Sequence, residues 1–469
     1  MNTGLETADH LPLEVDLDLI RRMDRNGPRY TSYPTADRFV DAFGPETYRS
    51  WVGRRNIGGI RRALSIYVHL PFCSTICFYC ACNKVVTRDR NKGRKYLDSL
   101  FREIELQAPL FGDDRRVEQM HWGGGTPTFY SMPQLAALHE KLRQHFDLAA
   151  DGEYSIEIDP RSVDAGGMHA LRDMGFNRVS LGVQDFDPDV QRAVNRIQGE
   201  AQTLAVMEAA RAAGFASINV DLIYGLPKQN VLGFNRTLGR VIASGPDRIA
   251  IYNYAHLPAR FKPQRRIADA DLPSPDVKLK LLGLAAQRLA EAGYVYIGMD
   301  HFAKPEDALA LAQRNGHLHR NFQGYSTHAD CDLLGLGVSA ISAIGPTYSQ
   351  NHRELDGYYD AIERGMLPVA RGIELSADDL LRRAVIQALA CQFRLSKKSV
   401  EIAYLIDFDG YFSGELADLR GMADDGLVQL DAEWITVTAR GRMLIRNICM
   451  VFDKYLRRER ETARYSRVI

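Results

Sequence analysis

Three cysteines within eight residues, Cys73, Cys77 and Cys80, follow directly on a short apolar run, and nothing else in the chain constrains it as tightly. Ile66-Tyr67-Val68 is β-branched and aromatic and reads as a buried strand. Pro71 cannot donate to a sheet ladder and ends it, so the cysteines lie on the loop leaving the strand's C-terminal end. Thiols spaced Cx3Cx2C can converge on one metal centre. Zinc sites with four cysteines usually draw on two well-separated CxxC pairs, and no second pair is present. A disulfide framework is not expected in a long chain without an export signal. A four-iron cube with cysteine on three corners keeps one iron open to a ligand that is not protein. Cys82 is read as a non-ligand, because a fourth cysteine would close that corner. Cys331, Cys391 and Cys449 lie far apart and read as ordinary buried thiols.

The chain is long enough, at 469 residues, for one large domain with appendages. Lys+Arg and Asp+Glu both number 59, which argues against a nucleic-acid or membrane partner. The longest uncharged apolar stretch, 333–344, is short and glycine-containing, so membrane insertion is not expected. Seven cysteines without an export signal suit a reducing cytoplasm.

From Leu64 a strand-loop-helix pattern recurs six times. Strands are expected at 66–69, 117–122, 154–159, 178–183, 217–223 and 248–254. Helices are expected at 92–107, 133–146, 164–174, 188–213, 233–243 and 276–292. Such alternation implies a parallel sheet covered by helices. Polar or glycine residues gather at the strand ends: Tyr67 and His69, Gly123–Thr128, Glu157 and Asp159, Gln184, Asn219 and Asp221, Asn253 and His256. Several are two apart and share a strand face, and rims of that kind are where (β/α) barrels build their sites. The fold class is therefore α/β, a partial (β/α)6 TIM-like barrel with an N-terminal arm and a C-terminal, mostly helical, winged-helix-like domain. The division is 1–60 arm, 61–300 barrel, 301–375 barrel cover and active-site segment, 376–469 C-terminal domain. Residues 376–450 hold 9 Lys/Arg against 11 Asp/Glu, so that domain lacks a nucleic-acid footprint. The arm's Gly27–Thr35 carries two tyrosines, two prolines and Arg29, and is expected to fold across the barrel opening.

Gly123-Gly124-Gly125-Thr126-Pro127 lets backbone approach a ligand closely because no Cβ intervenes. Glu157 could accept hydrogen bonds from an amine or ribose, and Gln184, Arg196 and Asp221 have comparable positions. The motif Cys73-x3-Cys77-Phe-Tyr-Cys80 resembles that of the radical S-adenosylmethionine (SAM) superfamily, in which SAM chelates the open iron of a [4Fe-4S] cluster.

Longer stretches narrow this. Gly-Pro-Arg29-Tyr-Thr-Ser-Tyr-Pro-Thr, Val-His-Leu-Pro-Phe-Cys73, Cys80-Ala-Cys82-Asn-Lys, His121-Trp-Gly-Gly-Gly-Thr-Pro-Thr, Gly-Val-Gln184-Asp-Phe, Asp221-Leu-Ile-Tyr-Gly-Leu-Pro, Asn-Tyr-Ala255-His-Leu-Pro and His-Arg320-Asn-Phe-Gln323-Gly-Tyr resemble the bacterial oxygen-independent coproporphyrinogen III oxidases. The resemblance implies a [4Fe-4S] cluster on Cys73, Cys77 and Cys80 and two SAM molecules per chain. A 5′-deoxyadenosyl radical would oxidatively decarboxylate two propionates of coproporphyrinogen III to vinyl groups, giving protoporphyrinogen IX in haem biosynthesis. It further implies that Tyr67, Gly124, Glu157 and Ile341 contact the cluster-bound SAM. Tyr79, Gly125, Thr126, Gln184, Arg196, Asp221 and Ala255 would contact the second. Tyr67, Glu157, Gln323 and Ile341 are the implied catalytic set. A low-potential electron donor, an electron acceptor and a monomeric state complete the expectation. Arg29, Arg260, Lys262, Arg265 and Arg320 are candidates to pair with substrate carboxylates. The rival resemblance is a radical-SAM-like haem chaperone, whose His-Asn-x-x-Tyr-Trp motif is replaced here by Arg320-Asn-Phe-Gln-Gly-Tyr.

Overall fold

Strand β1 (Leu64–Leu70) is buried at every position but Tyr67, as expected of a strand with a neighbour on each edge and packing on both faces. The computed structural model describes residues 13–56, 59 and 61–458. β1 begins a run of parallel strands that follow chain order: β2 (Arg116–Gly124), β3 (Asp147–Ile158), β4 (Arg178–Gln184), β5 (Ser217–Tyr224) and β6 (Arg248–Asn253). In β4 and β5 burial alternates residue by residue, so each strand has a fully buried apolar face and a half-buried one. Ser180, Gly182 and Gln184 share the second face of β4, as Asn219 and Asp221 do on β5. That period of two marks a polar interior on one side of the sheet and helices on the other.

Two expectations need correction. The helix expected at 188–213 is two helices, Pro188–Ala193 and Glu200–Ala212. Asn195 between them takes a positive φ of 54°. The break turns the intervening loop toward the cysteines: Phe78 N donates to Val194 O at 2.9 Å and Asn195 Nδ2 to Ile76 O at 2.7 Å. The second correction concerns the cover. Residues 332–374 largely extend the sheet. After the antiparallel pair β7 (Val295–Gly298) and β8 (His301–Ala303), strand β9 (Asp332–Leu336) pairs parallel with β1. β10 (Ile341–Ile344), β11 (Thr347–Asn351) and β12 (Val369–Glu374) continue antiparallel. The full order is β12-β11-β10-β9-β1-β2-β3-β4-β5-β6-β8-β7. Asp332–Leu336 is buried throughout, the pattern of an interior strand rather than of a covering loop. Among the described strands of 301–375, the hairpin His319–Asn321/Gly324–Ser326 forms a separate two-stranded sheet.

The C-terminal part is helical with a three-stranded antiparallel sheet, in which Arg394–Ser396 joins the expected pair Val428–Leu430 and Trp434–Val437. Among its described residues the arm packs on the C-terminal segment. Tyr30 and Tyr33 are buried against the C-terminal segment. Tyr30 Oη donates to Asp453 at 3.0 Å, Tyr33 Oη accepts from Lys454 N at 3.2 Å, and Arg446 donates to the carbonyls of Gly27 and Pro28. Two aromatic side chains and fixed carbonyl acceptors make this segment part of the core. A single apolar cluster runs from Leu19 in the arm through the sheet to Phe452, joining all four segments. No helix among the described residues is long and apolar enough to cross a membrane.

Candidate active site

The loop carrying the cysteines is pinned at both ends. Phe72–Cys73 pairs in parallel with Val85–Val86, with Val85 N bonded to Pro71 O at 2.8 Å and Thr87 N to Cys73 O at 2.9 Å. Between these points Cys73, Cys77 and Cys80 face a cavity of about 710 Å³ at the C-terminal ends of the parallel strands. Thr126 Oγ1 donates to Cys73 Sγ at 3.4 Å and Arg196 Nη1 to Cys77 Sγ at 3.6 Å. Lys84 Nζ holds the Cys80 carbonyl at 3.1 Å. A hydrogen bond from the Cys82 thiol, helped by Lys84, pulls Cys80 down to about 6, whereas burial pushes Cys73 up to about 11. Among the described residues no three His, Cys, Asp or Glu side chains close around one point as ligands of a single ion would. A four-iron cluster places its thiolates on separate irons, so three spaced thiols with cationic and hydroxyl donors beside them fit it better than zinc.

The glycine loop that ends β2 is shaped by its own neighbours. A Cβ on Gly123 would lie 2.8 Å from the Glu157 carboxyl, one on Gly124 (φ 115°) 2.6 Å from His69, and one on Gly125 2.6 Å from the Pro71 backbone. The amides of this loop are already engaged: Gly124 N with Glu157 Oε2 at 3.1 Å, Gly125 N with Leu70 O and Thr126 N with Phe72 O, both at 2.9 Å. The loop therefore offers a ligand its shape and a close wall, while donors must come from elsewhere.

Burial works against ionising Glu157, but His121 at 3.4 Å and the Gly124 amide hold its carboxyl below the usual range. Tyr67 stacks on His121 at 5.9 Å and bonds His69 Nδ1 at 3.1 Å, so it buttresses that corner. Opposite, Arg196 bonds Asp159 at 3.1 Å and Gly182 O at 2.8 Å, and Asp159 also receives Arg161 at 2.6 Å. Gln184 stands at a positive φ of 62° with Oε1 buried and unpartnered. Asp221 accepts from Ser180 at 2.9 Å and Asn219 at 2.8 Å, and burial, reinforced by the Glu157 charge, pushes it up to about 6.

The cavity thus brings together Cys73, Cys77, Cys80, Tyr79, Gly124, Gly125, Thr126, Glu157, Gln184, Arg196 and Asp221. Tyr67, Ala255, Gln323 and Ile341 do not line it. The Ala255 carbonyl is taken by Gln264 at 3.2 Å, Ile341 packs in the cluster around Phe39 and Tyr348, and Gln323 sits in the 319–326 hairpin. Asp159, Arg161, Ser180 and Tyr252 also line the cavity. Asp159 and Ser180 were signalled by period-two spacing from Glu157 and Gln184, whereas Arg161 lies in the turn Pro160–Ser162 and Tyr252 had no sequence signal beyond its strand end. Of the basic candidates, Arg29 is paired with Asp300 at 2.7 Å, Arg260, Lys262 and Arg265 are exposed, and Arg320 is buried.

A parallel α/β sheet with three thiols at its C-terminal rim defines the radical SAM class, and residues 67–240 match the Radical SAM superfamily family model. Membership of that class implies a [4Fe-4S] cluster and SAM. The chain is 53% identical to the oxygen-independent coproporphyrinogen III oxidase of Pseudomonas aeruginosa, over 97% of this chain and 98% of that one. It is 51% identical to the oxidase of the same name from Escherichia coli, over 97% and 99%. The solved coproporphyrinogen III oxidase from Escherichia coli superposes with a TM-score of 0.90 at 50% identity, covering 95% of this chain and all of that one. The chain belongs to the oxygen-independent coproporphyrinogen III oxidases, and the haem-chaperone alternative is not favoured.

Proposed function

We propose that this chain oxidatively decarboxylates two propionate side chains of coproporphyrinogen III to vinyl groups, giving protoporphyrinogen IX for haem synthesis. The observation that carries this is the cavity into which the three thiols, the strand residues Glu157, Gln184 and Asp221, and Arg196 from the loop between two helices all open. Each propionate gives up a hydrogen atom, carbon dioxide and one electron, so the reaction needs an electron acceptor as well as a low-potential donor. When bound on Cys73, Cys77 and Cys80, the cluster with SAM supplies the one-electron chemistry that removes the hydrogen atom. The chain's own part is to bind, orient and enclose. Thr126 and Arg196 point a hydroxyl and a guanidinium at the sulfurs of Cys73 and Cys77.

Glu157, kept ionised by His121, is suited to accept from the SAM amine or ribose, with Gly124 beside it and Tyr67 buttressing His121 from behind. Ile341, set outside the cavity wall, would have to be reached by a ligand that extends past it. Two SAM molecules fit the family expectation, the second meeting Tyr79, Gly125, Thr126, Gln184, Arg196, Asp221 and Ala255. Gln184 has an unpartnered carbonyl oxygen to offer, and Asp221 a carboxyl poised near neutrality. Gln323 belongs with Tyr67, Glu157 and Ile341 in the catalytic set. The enzyme works as a cytoplasmic monomer in this reading. Anaerobic incubation with coproporphyrinogen III, SAM and a strong reductant, followed by oxidation and porphyrin fluorescence, tests it. Protoporphyrin is the expected product, and unchanged coproporphyrin from cluster-loaded protein would overturn the assignment.

A further inference from the structure

Among the five basic side chains that charge and loop position single out, one stands in a different physical state. Arg29 is neutralised by Asp300, while Arg260, Lys262 and Arg265 are solvated. Arg320 is only 4% exposed, and among the described residues no carboxylate lies within ion-pair distance of it. Its Nε reaches the Arg29 carbonyl at 3.4 Å, and its Nη1 is buried without a partner. A guanidinium cannot shed its proton to relieve burial, so an unmet one is held at a cost.

The surroundings share that condition. The Arg320 guanidinium lies 4.8 Å over the Tyr325 ring, and His301 meets the same ring edge-on at 5.4 Å. His301 Nδ1 is also buried and unpartnered, as is Nε2 of Gln323 on the same hairpin. Neighbouring charges are already matched: Asp300 with Arg29, and Arg248 with Asp307 at 2.9 Å. His301 packs edge-on against Tyr252 at 6.0 Å, and Tyr252 lines the cavity that holds the cysteines. His301 therefore stands directly behind Tyr252 in the cavity wall, and Arg320 lies across the Tyr325 ring from it.

We propose that Arg320, with His301 and Gln323 beside it, is the receptor for one carboxylate of the tetrapyrrole, a proposal that rests on the oxidase reading above. A guanidinium edge matches a carboxylate's two oxygens, and an anion is the one ligand that settles the charge left over. Because Tyr252 separates this group from the thiols, the carboxylate gripped here belongs to a propionate that is not reacting. Arg320 would then hold the ring while another side chain is presented to the cavity, which makes it a specificity determinant.

The test titrates coproporphyrin III, the fluorescent oxidised form, and its neutral tetraamide into anaerobic holoenzyme, using wild type, Arg320→Met and Arg320→Lys. Arg320→Met is expected to weaken coproporphyrin binding about ten- to hundredfold. Arg320→Lys should recover part of that loss, and the tetraamide should bind wild type and Arg320→Met alike. Thermal midpoints should not fall in Arg320→Met, since a charge without a counter-charge has been removed. Equal coproporphyrin affinity in wild type and Arg320→Met would overturn the receptor, as would equal losses for acid and amide or a lowered midpoint. Failure of wild type itself to bind coproporphyrin would overturn the oxidase reading beneath it.

Discussion

Two buried arginines, Arg196 at the cavity rim and Arg320 behind the 319–326 hairpin, are equally shielded from water and opposite in how they are met. Arg196 has Asp159, the Gly182 carbonyl and the Cys77 sulfur within reach, and Tyr79, Asp159 and Cys77 hold its pKa up despite burial. Arg320 has one distant carbonyl and an aromatic face. The rim is finished by the protein, so its geometry is set before any ligand arrives. The hairpin side is left open in charge and hydrogen bonding, so it gains most when something anionic binds. Preorganisation and incompleteness thus mark different tasks within one interior: holding a reactive cofactor, and recognising a substrate.

The strongest way to break that contrast is at the thiols. Changing Cys73, Cys77 or Cys80 to Ser should abolish cluster absorption and SAM cleavage, while Cys82→Ser keeps both; iron content per chain decides. An equal loss in all four would make Cys82 a ligand. Next in size, Arg196→Met strips a buried carboxylate of one of its two cations. It should lower stability by about 3 kcal/mol, the bottom of the range for a broken buried pair, since Arg161 remains. Denaturant unfolding of cluster-free protein measures this, and a midpoint as unmoved as that expected for Arg320→Met would erase the difference between the two sites.

Glu103 supplies an intermediate case: a fully buried carboxyl with donors but no cation. Tyr358 Oη, Gly337 N and Asn351 Nδ2 reach it at 2.7, 2.7 and 2.8 Å, yet burial raises it to about 7. Its folded-state value lies above the unfolded one. The stability it contributes is therefore complete below about pH 4.5 and lost as pH rises through about 7, at most about 3 kcal/mol. Glu103→Gln should flatten the stability curve across that window, and an unchanged slope would refute the assignment. Smallest are the single hydrogen bonds of the rim. Glu157→Ala and Gln184→Ala should keep the cluster and weaken SAM binding by about 1–3 kcal/mol each, read by equilibrium dialysis. Wild-type affinity in both would reduce them to passive wall.

Much of the rim was legible because local rules govern it. Pro71 ends a strand, three thiols follow, and residues two apart on β3, β4 and β5 must share a face, which brings Glu157, Gln184 and Asp221 together. Arg196 lines the cavity although the helix around it reads as unbroken in the sequence, since only the tertiary bonds of Asn195 and Val194 reveal the break. The place of β9 beside β1 has no local signature, because the two strands are distant in sequence and meet only in the finished sheet. The same holds for the arm. Its tyrosines announced burial, but their partner, the 446–455 segment, lies at the other end of the chain. The state of Arg320 is the least legible of all, since an unmet charge is a property of everything packed around it.

The pairing of β1 with β9 also has a consequence in time. Leu64 leaves the ribosome roughly 270 residues before its partner Asp332, an interval of roughly 15–50 s at ordinary rates of synthesis. Through that interval a buried central strand of the sheet has one edge bare, the kind of edge on which nascent chains associate with one another. A chain interrupted near residue 300 would carry every cysteine of the cluster loop and all six consecutive parallel strands. It would still lack the strand that closes β1, and such fragments are expected to accumulate as aggregates rather than as a smaller working barrel.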